Sequence, residues 1–262
     1  MPQESPVDMT RTWEEVPHRL RAGESLPEPW EGLFGPLRQT AAKRIIVGQI
    51  GQSLDGRIAT LSGHSKYING AEGLAHLHRL RALVDAVVVG AGTVRADDPQ
   101  LTVREVVGPN PVRVVIDPRG SLPSTARAFA ADGVHRIVIS RESACRQRVD
   151  GVETIALPDT AGIFAPDAIL DALAARGLRR VLIEGGAQTL SRFLTAGCLD
   201  RLHVVVAPII LGSGIASLAL PTIARMDEAM RVPMHVHRLG DEVLFDCDLS
   251  EQPLQRLAEA RA

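Results

Sequence analysis

Three short stretches of the 262-residue chain place glycines beside side chains that could act on a ligand. GAGTVRADDP, residues 90–99, follows an apolar run. Its small residues let a ligand approach the backbone closely, while Thr93 adds a hydroxyl and Asp97 and Asp98 add acceptors. An Asp-Pro turn closing a short helix accounts for the same residues equally well. EGGAQTL, residues 184–190, sets a Gly-Gly pair between an apolar run and a helix start. That arrangement suits a dinucleotide pyrophosphate, because free N–H groups and the positive helix end face the anion. A sharp turn explains it too, and the GxGxxG spacing of a Rossmann fold is absent. SLDG, residues 53–56, reads as a turn around Asp55-Gly56 that needs no function.

Arg81 and Arg104 are the cations of interest, since a guanidinium matches a phosphate in shape and charge, although most arginines are simply solvated. His76 and His78 sit two apart on an expected helix, point to different faces, and lack the i, i+4 spacing of a metal pair. His203, His235 and His237 fall on expected strands and read as structural. No GxSxG elbow, P-loop, HExxH, or HxE with a later PCxxC occurs, so serine hydrolase, NTPase, zinc protease and zinc deaminase chemistries lack their parts.

Lys and Arg total 29 against 31 Asp and Glu, so the net charge of -2 provides no basic field for nucleic acid or an anionic membrane. A small ligand is the expectation. Cys145, Cys198 and Cys247 are too few and too scattered for a disulfide framework or a CxxC zinc site, and no metal is expected. The first residues, MPQESPVDMTRTWEE, are acidic and polar, and no window approaches ~18 uninterrupted apolar residues. A soluble, cytoplasmic protein is expected.

To position these stretches, the chain alternates β-branched runs with amphipathic segments from Ile45 onward, the pattern of a largely parallel sheet covered by helices. Strands are expected around Ile45–Val47, Ala86–Val89, Val112–Ile116, Arg136–Ile139, Val181–Ile183 and His203–Val206. Helices are expected at Ala71–Leu83, Pro166–Arg176 and Ala187–Ala196. Two alternating runs around Gly240-Asp241 predict a C-terminal antiparallel hairpin. Residues 1–43 form an extension with both tryptophans and no sustained period, residues 44–250 a single domain, and 251–262 a tail. In a parallel sheet, ligands gather beyond the carboxyl ends of the strands, where 90–99 and 184–190 fall.

SLDGRIAT, GHSKYING, HRLRALVDAVVVGAGTVRADDPQLTVR, NPVRVVIDP, VLIEGGAQTL and VVVAPIILGSG occur in the order and approximate spacing of the reductase domain of riboflavin biosynthesis. From about residue 44 to 249 the chain resembles that family. The resemblance implies an α/β, dihydrofolate reductase-like three-layer sandwich with a mostly parallel central sheet. It implies NADPH-dependent reduction of the ribose of a phosphoribosylamino-pyrimidine to a ribityl chain, and a homodimer. Ser65, Arg81, Leu101, Arg104 and Glu184 match substrate-binding positions. Tyr67, Thr93, Asp97 and the run from Gly186 to Arg192, with Gly185, Ala187, Gln188, Thr189 and Leu190, match or adjoin cofactor-binding positions. Arg81 and Arg104 would then fix the substrate phosphate, and Glu184, Asp55 or water would deliver the proton. Ser140 and Arg141 are candidates for gripping the cofactor's 2′-phosphate.

The pattern departs from the family in three respects, one being that the tryptophan-containing extension has no assignable counterpart there. A deaminase half is not seen, so a reductase alone is expected. Gln49 stands where bacterial bifunctional relatives commonly have lysine and archaeal stand-alone relatives an amide, which leaves the base open between the deaminated and amino pyrimidines. Two other readings keep the nucleotide loop: the same fold acting on a pteridine, dihydrofolate or secondary metabolite, and a non-catalytic nucleotide-binding module.

Overall fold

The structure, a computed structural model, describes residues 13–38, 43–65, 68–144 and 149–250. The β-branched runs form strands because side chains branched at Cβ fit a pleated, buried surface. The strands are β1 (Ile45–Ser53), β2 (Arg57–Thr60), β3 (Ala86–Gly90), β4 (Val112–Ile116), β5 (Arg136–Ser140), β6 (Glu153–Ala156), β7 (Arg180–Glu184), β8 (Arg201–Ala207), β9 (Gly214–Ala216), β10 (Met234–Leu239) and β11 (Glu242–Asp248). The helices are α1 (Val16–Ala22), α2 (Trp30–Phe34), α3 (Ala71–Leu83), α4 (Ala91–Asp97), α5 (Pro166–Ala174) and α6 (Ala187–Thr195).

Nine strands make one sheet in the order β10-β11-β8-β1-β7-β3-β4-β5-β6. The strands from β8 to β6 run parallel, and β11 returns antiparallel to β8 with β10 at the edge. Successive side chains on a strand face opposite ways, so the sheet divides the core in two. Val87, Val89, Val115 and Leu182 join the cluster under α3, while Ala86, Val88, Val114, Val181 and Ile183 join the one under α5 and α6. This is the dihydrofolate reductase-like three-layer sandwich, with its antiparallel C-terminal pair.

β1 runs well past its β-branched start. Gly48 and Gly51 interrupt the apolar pattern because neighbours crowd them: a Cβ at Gly48 would lie 2.6 Å from Leu190 Cδ1, and one at Gly51 would overlap the Asn69 amide. The Asp55-Gly56 turn follows β1, but β2 pairs with β9 in a separate two-stranded sheet rather than folding back as a hairpin. Asp55 has a structural task there. It accepts bonds from Ser53 Oγ at 2.6 Å, Leu211 N at 3.1 Å and Gly212 N at 2.7 Å, tying the turn to the LGSG loop.

Residues 13–38 carry α1 and α2 and share the α3 core. Trp13 meets Trp30 edge-on at 5.3 Å, Trp30 stacks on Phe34, Phe34 on His76 of α3, and His76 on His203 of β8. The Arg79 guanidinium covers the Trp30 ring at 4.9 Å, a cation–π contact made by the otherwise polar face of α3. The N-terminus of α3 is closed by Glu242, 169–173 residues further along the chain but adjacent in space. Its carboxylate accepts from Asn69 Nδ2 at 2.8 Å, Gly70 N at 3.0 Å and Gly73 N at 2.8 Å. No helix among the described residues is long and apolar enough to cross a membrane.

Candidate active site

A cleft of about 1240 Å³ opens at the carboxyl ends of β1, β3, β4 and β7. This is where ligands settle in open parallel sheets, because loops diverge there and helix N-termini point inward. Its floor is formed by two interlocked loops. Gly186 has φ +68°, a conformation that disfavours a side chain, and a Cβ there would sit 2.5 Å from Thr93 Oγ1. Reciprocally, a Cβ at Gly90 would strike Thr189 Oγ1. The β3–α4 and β7–α6 loops therefore close on each other glycine to threonine. Gly186 is the N-cap of α6 and supplies no side-chain cap, so the first amides of that helix have no side-chain partner beside the cleft.

Of the residues singled out in the sequence, Gln49, Ser65, Thr93, Asp97, Glu184, Gly185, Gly186, Ala187, Gln188 and Thr189 line this cleft. Ser65 Oγ donates to Asp97 Oδ1 at 2.7 Å, so one substrate candidate and one cofactor candidate are joined across the rim. Leu190 is fully buried beneath the floor, against the notch left by Gly48, and acts through packing rather than contact. Leu101 is likewise a core side chain, on a backbone with φ +59°. Tyr67 lies outside the described residues.

Arg81 is not free to meet a phosphate. It is 3% exposed and its guanidinium forks onto Glu184, Nε to Oε2 at 2.8 Å and Nη2 to Oε1 at 2.5 Å, while Nη1 donates to Thr102 O at 2.9 Å. Each Glu184 oxygen accepts one Arg81 bond and keeps a further lone pair for the cleft that Glu184 lines. Arg104, by contrast, has a half-open side chain whose one ion pair, with Glu105, is long at 3.7 Å. Burial and the neighbouring Arg81 pull its pKa below the ordinary value, with Arg127 adding to the effect. The expected pair of phosphate cations thus separates into a buried positioning residue and an open cation.

His78, passed over in the sequence because it lacked a metal partner, holds the Arg104 loop. Its Nδ1 accepts from Arg104 N at 2.9 Å, and burial, then Arg81 and Arg104, push its pKa down to about 3, keeping that nitrogen an acceptor. Asp55 does not fit the role of proton donor. The Ser53 hydroxyl and the Leu211 and Gly212 amides lower its pKa to about 2, so it stays ionised, and it does not line the cleft. Ser140 is buried with its hydroxyl donating to Asp117 O at 2.9 Å, which removes it as a ligand for the cofactor.

A second polar cluster lies apart from the cleft. His76 Nε2 is 3.0 Å from His203 Nδ1, His203 Nε2 is 3.1 Å from Asp246 Oδ1, and Arg201 forks onto Asp246 at 2.9 and 2.7 Å. Burial raises the Asp246 pKa, but the His203 and Arg201 contacts outweigh it and leave the carboxyl well below its usual range. Among the described residues no group of three His, Cys, Asp or Glu side chains is placed to hold a metal ion.

Residues 44–231 match the family model described as the RibD C-terminal domain. The chain is 36% identical over 199 residues to the Riboflavin biosynthesis protein RibD of Aquifex aeolicus, covering 74% of this chain but 54% of that one. It is 36% identical over 202 residues to the 2,5-diamino-6-ribosylamino-4(3H)-pyrimidinone 5′-phosphate reductase of Methanothermobacter thermautotrophicus, covering 74% of this chain and 93% of that one. The crystal structure of a diaminohydroxyphosphoribosylaminopyrimidine deaminase/5-amino-6-(5-phosphoribosylamino)uracil reductase from Thermotoga maritima superposes with a TM-score of 0.69 at 31% identity, over 79% of this chain and 56% of that one. The chain thus spans about half the length of the RibD relatives and nearly all of the archaeal reductase. With a matching fold, a cleft at the expected strand ends and a family match across most of its length, the chain belongs to the RibD C-terminal domain family.

Proposed function

We propose that the protein catalyses NADPH-dependent reduction of the ribose of a phosphoribosylamino-pyrimidine to the ribitylamino product, a step of riboflavin biosynthesis. The observation that carries this reading is the junction of the two loops. Gly185, Gly186 and the uncapped first turn of α6 line the cleft directly beside Gln49 and the Arg81-fixed Glu184, with Gly185 N donating to Gln49 O at 3.4 Å.

The donor set fits a dinucleotide. Two adjacent positive-φ glycines keep side chains away from the α6 amides, which suits a pyrophosphate, and Thr93 and Gln188 add neutral polar groups. NADPH, when bound, supplies the hydride. The chain's own residues bind and orient. Glu184, held in one rotamer by Arg81, accepts hydroxyl bonds from the sugar through its remaining lone pairs. Arg104, its backbone fixed by His78, attracts the phosphate, and that remote contact sets the sugar in place for reaction. Gln49, 5% exposed and paired with Glu184 in the middle of β1, offers an amide to the base. With Asp55 excluded, water or a substrate hydroxyl held by Glu184 carries the accompanying proton.

The reading includes a homodimer and a cytoplasmic setting. The buried free thiols of Cys198 and Cys247 suit the latter, and light scattering of the purified chain tests the former. The test of function is loss of NADPH absorbance with the deaminated and the amino forms of the phosphorylated pyrimidine, with dihydrofolate as control. Oxidation with one pyrimidine form and none with dihydrofolate is expected; oxidation with dihydrofolate alone refutes the proposal.

A further inference from the structure

Residues 101–111, between α4 and β4, form neither helix nor strand, yet this loop carries Arg104. An irregular loop keeps one shape only where its backbone groups find fixed partners. The first part of the loop has them. Arg81 Nη1 donates to Thr102 O at 2.9 Å, Val103 N donates to Asn110 Oδ1 at 2.6 Å, and Arg104 N donates to His78 Nδ1 at 2.9 Å. Val103 and Val106 lean on the core beneath α3. The Val107 side chain, 65% exposed, adds little packing of its own.

At Val107 the N-terminal segment takes hold. Trp13 Nε1 donates to Val107 O at 2.8 Å, joining residues 94 apart. The indole is itself fixed: it is 3% exposed, meets Trp30 and Phe34 edge-on at 5.3 and 5.8 Å, and carries the Arg79 guanidinium over its ring at 5.8 Å. Arg21 of α1 adds a second hold, donating to Ala82 O at 3.0 Å near the end of α3. The loop crosses α3 at that point, for a Cβ at Gly108 would lie 2.6 Å from Ala82 Cβ. The segment therefore grips both the loop and the helical turn on which the loop rests.

We infer that Trp13 is a positioning residue for the substrate: through Val107 it holds the loop in the shape that presents Arg104, so a segment lying before the family match sets affinity for the phosphorylated substrate. This role rests on the reading of Arg104 as the phosphate cation. The loop is tied to the cleft at its other end, because the Arg81 guanidinium bonds both Thr102 O and the cleft-lining Glu184. Without the indole N–H the loop samples further shapes, and a smaller fraction of molecules presents Arg104. Substrate restores the loop on binding, and the cost appears as weaker apparent affinity.

The test is steady-state kinetics of the full chain with the phosphorylated pyrimidine and NADPH, for Trp13→Phe, Arg104→Gln and the double variant. Trp13→Phe keeps an aromatic ring and removes the N–H. It is expected to raise KM for the pyrimidine by about five-fold, the scale of one net hydrogen bond, with kcat and the KM for NADPH unchanged. In the Arg104→Gln background the same substitution is expected to change KM little, since the two residues act through one contact. An unchanged KM in Trp13→Phe beside a raised KM in Arg104→Gln overturns the positioning role and leaves the phosphate cation in place. A Trp13 effect of equal size in both backgrounds overturns it too, as does a rise in KM for both substrates with a fall in kcat, the mark of general loosening. An unchanged KM in Arg104→Gln overturns the reading of Arg104 and the role of Trp13 with it. Amide hydrogen exchange gives a readout independent of turnover. Faster exchange at Arg104 and Glu105 in Trp13→Phe is expected, and exchange at the unsubstituted rate overturns the anchor.

Discussion

Replacing Arg81 with alanine separates two accounts of the same residue, a phosphate ligand facing substrate and a fixed partner of Glu184. Its side chain is 4% exposed against 11% for Glu184, and the guanidinium donates twice to that carboxylate and once to Thr102 O. Removing one partner of a buried pair leaves the other charge uncompensated, at a cost of about 3–5 kcal/mol. Glu184 borders the cleft, where water can reach it once the guanidinium is gone, so the lower end of that range, about 3 kcal/mol, is expected. For a domain of this size each kcal/mol moves the melting temperature by about 2–4 °C, which gives a drop of roughly 6–12 °C. Urea unfolding followed by far-UV circular dichroism measures the loss directly. Arg81→Met with Glu184→Met should recover much of it, because no unpaired charge remains. In turnover, Arg81→Ala should lower kcat as well as raise KM, since a loosened Glu184 misplaces the sugar. A loss of about 1 kcal/mol or less, the value of an exposed pair, would refute the reasoning.

Glu242→Ala strips three donors, Asn69 Nδ2, Gly70 N and Gly73 N, of a buried acceptor, and a loss of about 1–3 kcal/mol in urea unfolding is expected. Gly186→Ala adds a Cβ 2.5 Å from Thr93 Oγ1 at φ +68°; about 1–3 kcal/mol of destabilisation and weakened 2′,5′-ADP binding are expected, and unchanged binding by calorimetry would contradict the interlocked floor. Burial, reinforced by His203 and Arg79, holds the His76 pKa well below its ordinary value, and burial with Arg81 and Arg104 holds His78 at about 3. The unfolded chain therefore binds more protons at these sites. Stability is intact above about pH 6.5 and falls as the pH drops below it, by up to about 1.4 kcal/mol per pH unit for each imidazole. A urea midpoint that stays level from about pH 7 to about pH 5 would rule out two neutral buried histidines.

The sequence carries the sheet's interior strands and the helices that follow them, because each is a local pattern. Ala71–Leu83 is a helix to the residue, and Val112–Ile116 is a strand bounded by Pro111 and Asp117-Pro118. Elements that depend on distant chain were hidden. The second half of β1 is interrupted by glycines whose purpose is to admit Leu190 and Asn69, and β9 exists only through its pairing with β2. The α1–α2 segment shows no period because its aromatics meet one another across turns rather than along one helix face. The site divides in the same way. The loops after β3 and β7 were visible as glycine and hydroxyl clusters, whereas the Arg81–Glu184 fork joins residues 103 apart and no spacing announces it. His78 left a trace in the sequence only as a histidine without a metal partner. Its task depends on the return of residues 104–105 to the side of α3.

The stack that starts at Trp13 and ends at His203 bears on where this protein can be cut. The family match begins at residue 44, yet Trp13, Trp30 and Phe34 are buried in the same core as α3, against His76 and Arg79. A chain trimmed to the matched boundary would present the bare flank of α3, with the Arg79 cation stripped of its aromatic cover, to any neighbouring molecule. The unit that ancestry recognises and the unit that covers its own core are therefore different lengths of the same chain. A domain swap or fusion designed on this scaffold has to carry the tryptophan segment along with the helix it shields.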